Sequence, residues 1–549
     1  MARNPEADQT TLAAVHAAAM RGAHVEAAAL AEQALADGLE HPLLLNLAAF
    51  NLERQGRFSD AERLLQRAIA IDPSDLSSRN ALGLCLLRLE RPTEALAQFD
   101  ALLRLDPSSP FAHASRGNAL YALGATDEAE ACFTRAIEID ADQGVALAGL
   151  ARIAASRGMH ADARAWAERS LAALPGYPDA VMSLAAAELG ERNLNGAEAR
   201  LRALLTEPRV APLERAYATG LLGDTLDAKG LPAEAFAAYT SCNEQLRDGY
   251  AAQFSGDQSA LEYARSLTQY FEGAAKKWQA AEPAPENPKD AADHQTGARE
   301  HVFLLGFPRS GTTLLEVVLE GHPDVVSLEE HELLIDSVRE FMRRPTDLER
   351  LLRADAAALQ PLRAAYWRLT AAAGIDVSGK MFVDKHPLNT LKLPLIARLF
   401  PHAKILFACR DPRDIVLSCF RHRFQMSAPV YELLTLEGTA RYYDAVMRLA
   451  VSLTSALKLD VCLVRHEDVV TEIRREMRRI CAYLGLEWVE AMSDFAKRTG
   501  TRQDLTPSTA QLVRALSTEG LGHWRRYQAQ LTPVLPMLDA WVKRFYYDA

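Results

Sequence analysis

A glycine-bounded turn joins an apolar run to a helical pattern between residues 302 and 319. Residues 302–305 (VFLL) have strand length, GFPRSG at 306–311 makes the turn, and Leu314, Leu315, Val318 and Leu319 recur at helical spacing. Unpaired N–H groups converge at such a helix start and its dipole adds positive potential, so the turn can cradle an anion. Its spacing is close to G-x-x-x-x-G-K-[ST], the nucleotide-triphosphate loop. Here Thr312 stands at the lysine position and Arg309 sits inside the turn. Kinases and NTPases of that class use the lysine on the β/γ-phosphates, so its loss argues against them. A second cluster, RDPRD at 410–414, follows the apolar run 404–409, with Ser418 eight residues past Arg410. A cation and a hydroxyl at the ends of strands suit a second phosphate in an open α/β sheet. Solvated surface arginines would leave the same trace. Lys385 follows a third short run, 381–383, so three predicted strand ends carry cations.

The composition narrows the chemistry. The chain has 549 residues, too many for one compact core, and a formal net charge of -11. That balance excludes a global basic footprint for nucleic acid. Histidines such as His322, His386 and His466 are scattered, with no ligand-type spacing, so no metal is expected. The seven cysteines form no C-x-x-C pair and read as reduced core thiols. No apolar run reaches the roughly 18 residues that span a bilayer, and the first twenty residues do not read as a secretory signal. A cytoplasmic protein is the expectation.

Those elements are preceded by a repeating half. Ala27, Ala61, Ala95, Ala129, Ala163 and Ala197 fall 34 residues apart, as do Ala49, Gly83, Gly117, Ala151 and Ala185. Pro73, Pro107 and Pro175 keep the same period. Small residues at two phases and proline at the unit end are the tetratricopeptide signature, with about seven units expected. Such arrays have concave faces that hold peptides or partner proteins. The stretch 281–299 is rich in Pro, Ala and charge and reads as a linker. The expected organisation is an array with trailing helices over 1–280, a linker over 281–299 and a catalytic domain over 300–549. The fold class is an all-α superhelical array followed by an α/β domain with a parallel sheet flanked by helices.

Taken together, FPRSGTTLLEVVLEGHPDV, VDKHPLN, CRDPRDIVLS and VRHEDVV resemble the P-loop-like sulfotransferases fused to tetratricopeptide repeats, most closely the protein-tyrosine sulfotransferase branch. The resemblance implies transfer of a sulfuryl group from 3'-phosphoadenylyl sulfate to a hydroxyl acceptor, without a metal. It implies that Arg309, Ser310, Gly311, Thr312 and Thr313 hold the 5'-phosphosulfate. Arg410 and Ser418 would take the 3'-phosphate, and Ser508 in TPSTAQLV would contact the nucleotide. Lys385 inherits the role of the active-site lysine. The branch's base lies 21 residues past the loop arginine, which is Glu330 here; Arg309 and Lys385 would stabilise developing charge. Were 329–332 merely a helix start, these acids would complement its dipole, and Glu329 would point about 100° away from Glu330.

Two departures from the branch stand out. Glu332 replaces an arginine that holds acidic peptides, and His523 precedes Trp524 where a basic residue is usual, leaving Arg525 or Arg526 for the 3'-phosphate. The acceptor is open between a protein tyrosine, a glycan and a small hydroxyl compound. A scaffold with an inactive nucleotide domain is the rival reading, opposed by the presence of Arg309, Glu330 and Lys385.

Overall fold

Small residues set under large ones build the N-terminal half. The computed structural model describes residues 5–254, 258–280, 297–457, 459–494 and 520–547. Helices pair in sequence, from Pro5–Met20 with His24–Ala36 to Pro178–Gly190 with Leu194–Thr206. A Cβ added to Gly83 would lie 2.5 Å from the Phe99 ring, and one added to Gly117 2.6 Å from Phe133. Each glycine thus admits an aromatic ring from the partner helix sixteen residues on. Ala61, Ala95, Ala129 and Ala163 are fully buried at the other small phase. The period also appears at the helix starts: Asp75, Ser109 and Gln143 each accept the N–H three residues on.

The chain forms two compact units, Met1–Arg200 and Leu201–Ala549, dividing within the helix Leu194–Thr206. The linker read from composition falls largely outside the described residues. The helices Pro212–Ala228, Pro232–Phe254 and Ala260–Ala280 belong to the second unit, because their buried faces are made for it. Gly223 lies under Tyr239, again sixteen residues apart, so the first two are a repeat-type pair. Yet Asn243 donates to the Phe420 carbonyl at 2.8 Å, Tyr263 to that of Met342 at 2.6 Å, and Phe236 packs on Phe420 with ring centroids 5.1 Å apart.

The rest of this unit is a five-stranded parallel sheet. Its strands are β1 (Glu300–Leu305), β2 (Val325–Glu329), β3 (Met381–Lys385), β4 (Lys404–Cys409) and β5 (Val461–Arg465), in the order β2-β3-β1-β4-β5. Strand periodicity sorts the side chains into two faces. Val302, Leu304, Met381 and Val383 pack with the helices Thr312–Leu319 and Ile473–Leu484. His301, Phe303 and Phe382 meet Tyr366, Trp367 and Phe400 on the other side. Connections from β1 and β4 leave in opposite directions, which opens a crevice at their C-terminal ends. All seven cysteines are buried. No helix among the described residues is long and apolar enough to cross a membrane.

This packing predicts where the chain can be cut. A fragment 201–549 is expected to melt cooperatively, whereas 281–549 should lose at least about 3–5 kcal/mol, because cutting there strands buried partners of Asp224 and Asp227. Thermal melts by circular dichroism compare the two, and equal midpoints would show that the three helices are dispensable.

Candidate active site

Two glycines hold the turn after β1 against its neighbours. A Cβ on Gly306 would stand 2.6 Å from the Ala408 carbonyl oxygen of β4, and one on Gly311 would strike the His466 ring. Gly311 also needs its left-handed backbone, φ 98°, to start the helix Thr312–Leu319. No side chain caps that start, so its N–H groups face the turn. Ser310, Thr312 and Thr313 are buried.

Arg309 holds a left-handed φ of 68°, unusual for a residue with a side chain. Strain of this kind concentrates at functional positions. Its Nε donates to Ser418 Oγ at 3.0 Å, so the turn and the helix Pro412–Arg421 meet at this pair. Arg410 spans both from the other side, donating from Nη1 to the Arg309 carbonyl at 3.5 Å and from Nη2 to the Gly520 carbonyl at 2.5 Å. Burial pushes the Arg309 guanidinium down to about 10, aided by Arg410 and Arg421; it stays cationic at neutral pH. Burial, with Arg410 and Arg309, pushes His466 down to about 3, so its ring is neutral. Ser310 Oγ, Arg410 Nε and His466 Nδ1 are buried without a hydrogen-bond partner among the described residues. Three such atoms around one cationic turn fit an anionic ligand.

A second cluster forms where β2 and β3 end. Lys385 is fully buried, with Nζ 2.7 Å from Glu329 Oε1, 3.0 Å from Glu330 Oε1 and 3.5 Å from Glu316 Oε2. Burial alone would lower the ammonium's pKa; Glu316, Glu330 and Glu329 overcome it, and the net shift is upward. Glu330 is half exposed. Its backbone takes φ 50°, and its N–H donates to the Lys385 carbonyl at 2.7 Å. Glu332 bonds His386 Nε2 at 3.0 Å and Lys392 Nζ at 2.5 Å. The His386 bond, with Lys392 behind it, holds its carboxyl down at about 2 against burial.

The structure thus gathers Arg309, Ser310, Gly311, Thr312, Thr313, Arg410 and Ser418 at one turn, and Glu330 with Lys385 beside it. Ser508 lies outside the described residues. Residues 329–332 do not begin a helix. Glu329 ends β2, Glu330 turns left-handed, and both reach Lys385, so the expected 100° divergence fails. Arg526 is committed to Asp227, donating to its carbonyl at 3.0 Å, and Arg525 lies over the Trp524 ring. Sequence reasoning passed over Glu316 and His466. The signal for Glu316 was a lone acid among the apolar residues of the turn's helix; for His466 it was a position directly after β5.

Residues 301–490 match the sulfotransferase family, and 48–110 and 115–178 match the tetratricopeptide repeat. Protein-tyrosine sulfotransferase 1 of Danio rerio is 24% identical over 260 residues, 43% of this chain and 71% of that protein. Protein-tyrosine sulfotransferase 2 of Gallus gallus is 24% identical over 233 residues, 41% and 62%. An uncharacterised protein of Aquifex aeolicus (strain VF5) is 26% identical, but the match spans only 33% of its length against 45% of this chain. Among solved structures, the sulfotransferase domain of the Synechococcus PCC 7002 olefin synthase aligns with 48% of this chain and 98% of its own at 20% identity, TM-score 0.30.

The other face of β3 yields a pH test. Asp384, one residue before Lys385, is buried, accepts from Tyr366 at 2.8 Å, and is pushed by burial from 3.8 up to about 6. An acid raised in the folded state adds stability while protonated. That contribution is complete below pH 3.8 and is lost as pH rises through 6, about 3 kcal/mol in all. Asp384→Asn should therefore gain stability relative to the parent by that order between pH 4 and pH 7. Urea melts at the two pH values measure it, and an identical difference at both would show an ordinary carboxyl.

Proposed function

Because the chain is a tetratricopeptide-repeat-fused member of the sulfotransferase family, we propose that it transfers a sulfuryl group from 3'-phosphoadenylyl sulfate to a hydroxyl acceptor. The observation that carries this is the lysine-free turn, where Arg309 meets Ser418, Arg410 bonds the Arg309 carbonyl, and Ser310 Oγ, Arg410 Nε and His466 Nδ1 are buried and unpartnered. Ser310, Gly311, Thr312 and Thr313 would hold the 5'-phosphosulfate, and Arg410 with Ser418 the 3'-phosphate. As the acceptor oxygen bonds to sulfur, the bond from sulfur to the 5'-phosphate oxygen breaks. Its electron pair leaves on 3'-phosphoadenosine 5'-phosphate, and the acceptor's proton passes to Glu330. Arg309 and Lys385 supply the fixed positive charge that favours this redistribution, in a site already set before reaction.

A protein tyrosine is the acceptor class suggested by the names of the relatives. The Glu332 carboxylate, already paired with His386 and Lys392, replaces the branch's arginine and disfavours an acidic peptide. The repeats would recruit the acceptor or a protein partner.

Calorimetry should find tighter binding of 3'-phosphoadenosine 5'-phosphate than of ATP. Arg410→Ala should weaken the former by about 1.5–3 kcal/mol, the worth of a charge-assisted bond. Equal or tighter ATP binding would overturn the donor assignment. Absence of turnover with labelled donor across tyrosine peptides, glycans and phenols, despite binding, would favour the scaffold reading.

Glu330→Gln should keep donor affinity and lower kcat by about 10²–10⁴-fold, with a smaller loss for more acidic phenols. Glu329→Gln is also expected to slow the enzyme, through Lys385, but with no dependence on acceptor acidity. Indistinguishable acidity profiles for the two variants would remove Glu330 from the role of base.

A further inference from the structure

The helix that carries Ser418 ends at Arg421, with Arg423 two residues beyond, and the last repeat-type pair supplies the acids that meet these two arginines. Asp227 and Asp224 lie three residues apart on the helix Pro212–Ala228 and face the same way. Arg421 Nη2 bonds Asp227 Oδ2 at 2.6 Å, and Arg423 bonds Asp224. A Cβ on Gly220, one turn earlier, would lie 2.6 Å from Arg423 Cδ, so that glycine makes room for the arginine.

Asp227 has more partners than Arg421. Tyr527 donates to its Oδ1 at 2.7 Å, Arg526 Nη1 lies 3.3 Å from that atom, and His523 Nε2 lies 3.4 Å from Oδ2. These three belong to the C-terminal turn His523–Tyr527. The same turn is held from the far side by Asp414, which accepts the Gly522 and Trp524 N–H groups at 2.7 and 2.8 Å. Arg410 donates to the Gly520 carbonyl two residues before Gly522. Asp227, 8% exposed, therefore joins the end of the Ser418 helix to the segment that Arg410 touches, alongside Asp414 of that same helix and the contact of Arg421 Nη1 with His523 Nε2 at 2.5 Å.

We propose that Asp227 is a positioning residue for the donor site. It touches neither Arg309 nor Ser418. It sets where the Ser418 helix ends and where residues 520–527 lie against Arg410, and so fixes the distance between the two halves of the anion site. The last repeat-type pair is thereby part of the donor-binding apparatus rather than of a detachable recruiting array. The proposal rests on the donor reading given above.

The test uses the full chain and 3'-phosphoadenosine 5'-phosphate as probe. Asp227→Asn should raise its Kd about tenfold, the coupling expected of residues in one buried network, and leave the acceptor KM unchanged. Asp227→Asn also strands the Arg421 charge, so its melting temperature should fall. Adding Arg421→Gln removes that charge. The double variant should recover thermal stability while donor Kd stays raised. Recovery of both together would mean that Asp227 only stabilises the fold, and would overturn the proposal. Should Asp227→Asn fail to fold, Tyr527→Phe removes one partner without stranding a charge. A roughly threefold rise in Kd is then expected, and an unchanged Kd overturns the proposal. Wild-type protein that binds no 3'-phosphoadenosine 5'-phosphate would instead sink the donor reading itself.

Discussion

Burying one ammonium at the C-terminal end of β3 constrains much of the second unit. Lys385 has no exposed side-chain surface, and an unpaired charge there would be several kcal/mol out of balance. Its three carboxylates come from three places: Glu316 from the helix after the anion-binding turn, Glu329 from the end of β2, and Glu330 from the bend beyond it. Satisfying one ammonium therefore fixes the register of β2 against β3, the pitch of the helix Thr312–Leu319 and the left-handed turn at Glu330 together. Glu330 alone of the three is half exposed, so the cage has one side open to solvent. The strained φ at Glu330 and the one at Arg309 are the local cost of aiming two side chains from the ends of β2 and β1, the strands on either side of β3.

The sheet order explains why such residues meet. β1 is flanked by β3 and β4, so the turn after β1 lies between Lys385 on one side and Arg410 on the other. A chain that placed β1 at an edge would separate them. Alternation along β3 then divides its last two residues: Asp384 goes to the aromatic face under Tyr366, and Lys385 to the face of Glu316.

Much of this was legible because it is periodic or local. The 34-residue spacing gave the helix pairs, since Gly83 under Phe99 and Gly117 under Phe133 are the same contact repeated. The strand-turn-helix at 302–319 and the cations after three apolar runs pointed to residues that meet at the turn, since each signal spans few residues. The carboxylate cage was not legible: it joins positions 316, 329, 330 and 385 through strand pairing, and Glu-Glu-His-Glu reads equally well as a helix start. Nor was the role of the last repeat-type pair. Composition marks 281–299 as a linker, but a linker shows where the chain is polar, not which surfaces pack. Asp224, Asp227 and Asn243 lie among residues that keep the repeat pattern, and their partners lie some 180 to 300 positions away.

Partner type separates the arginines of this unit by task. Arg413, Arg421 and Arg423 each have a carboxylate of their own, in Asp411, Asp227 and Asp224. A guanidinium so paired serves as a fixed structural joint, while Arg421 still adds to the positive field at Arg309. Arg410 is held differently. It bonds two backbone carbonyls, while the nearest carboxylate, on Asp414, stands 3.9 Å off and is occupied by two N–H groups of the C-terminal turn. Arg309 donates to a neutral hydroxyl, and its depressed pKa records burial among like charges. These bonds orient the two side chains. Arg421 is the link between the two groups: it adds to the positive field at Arg309 and is itself paired with Asp227 of the last repeat-type pair.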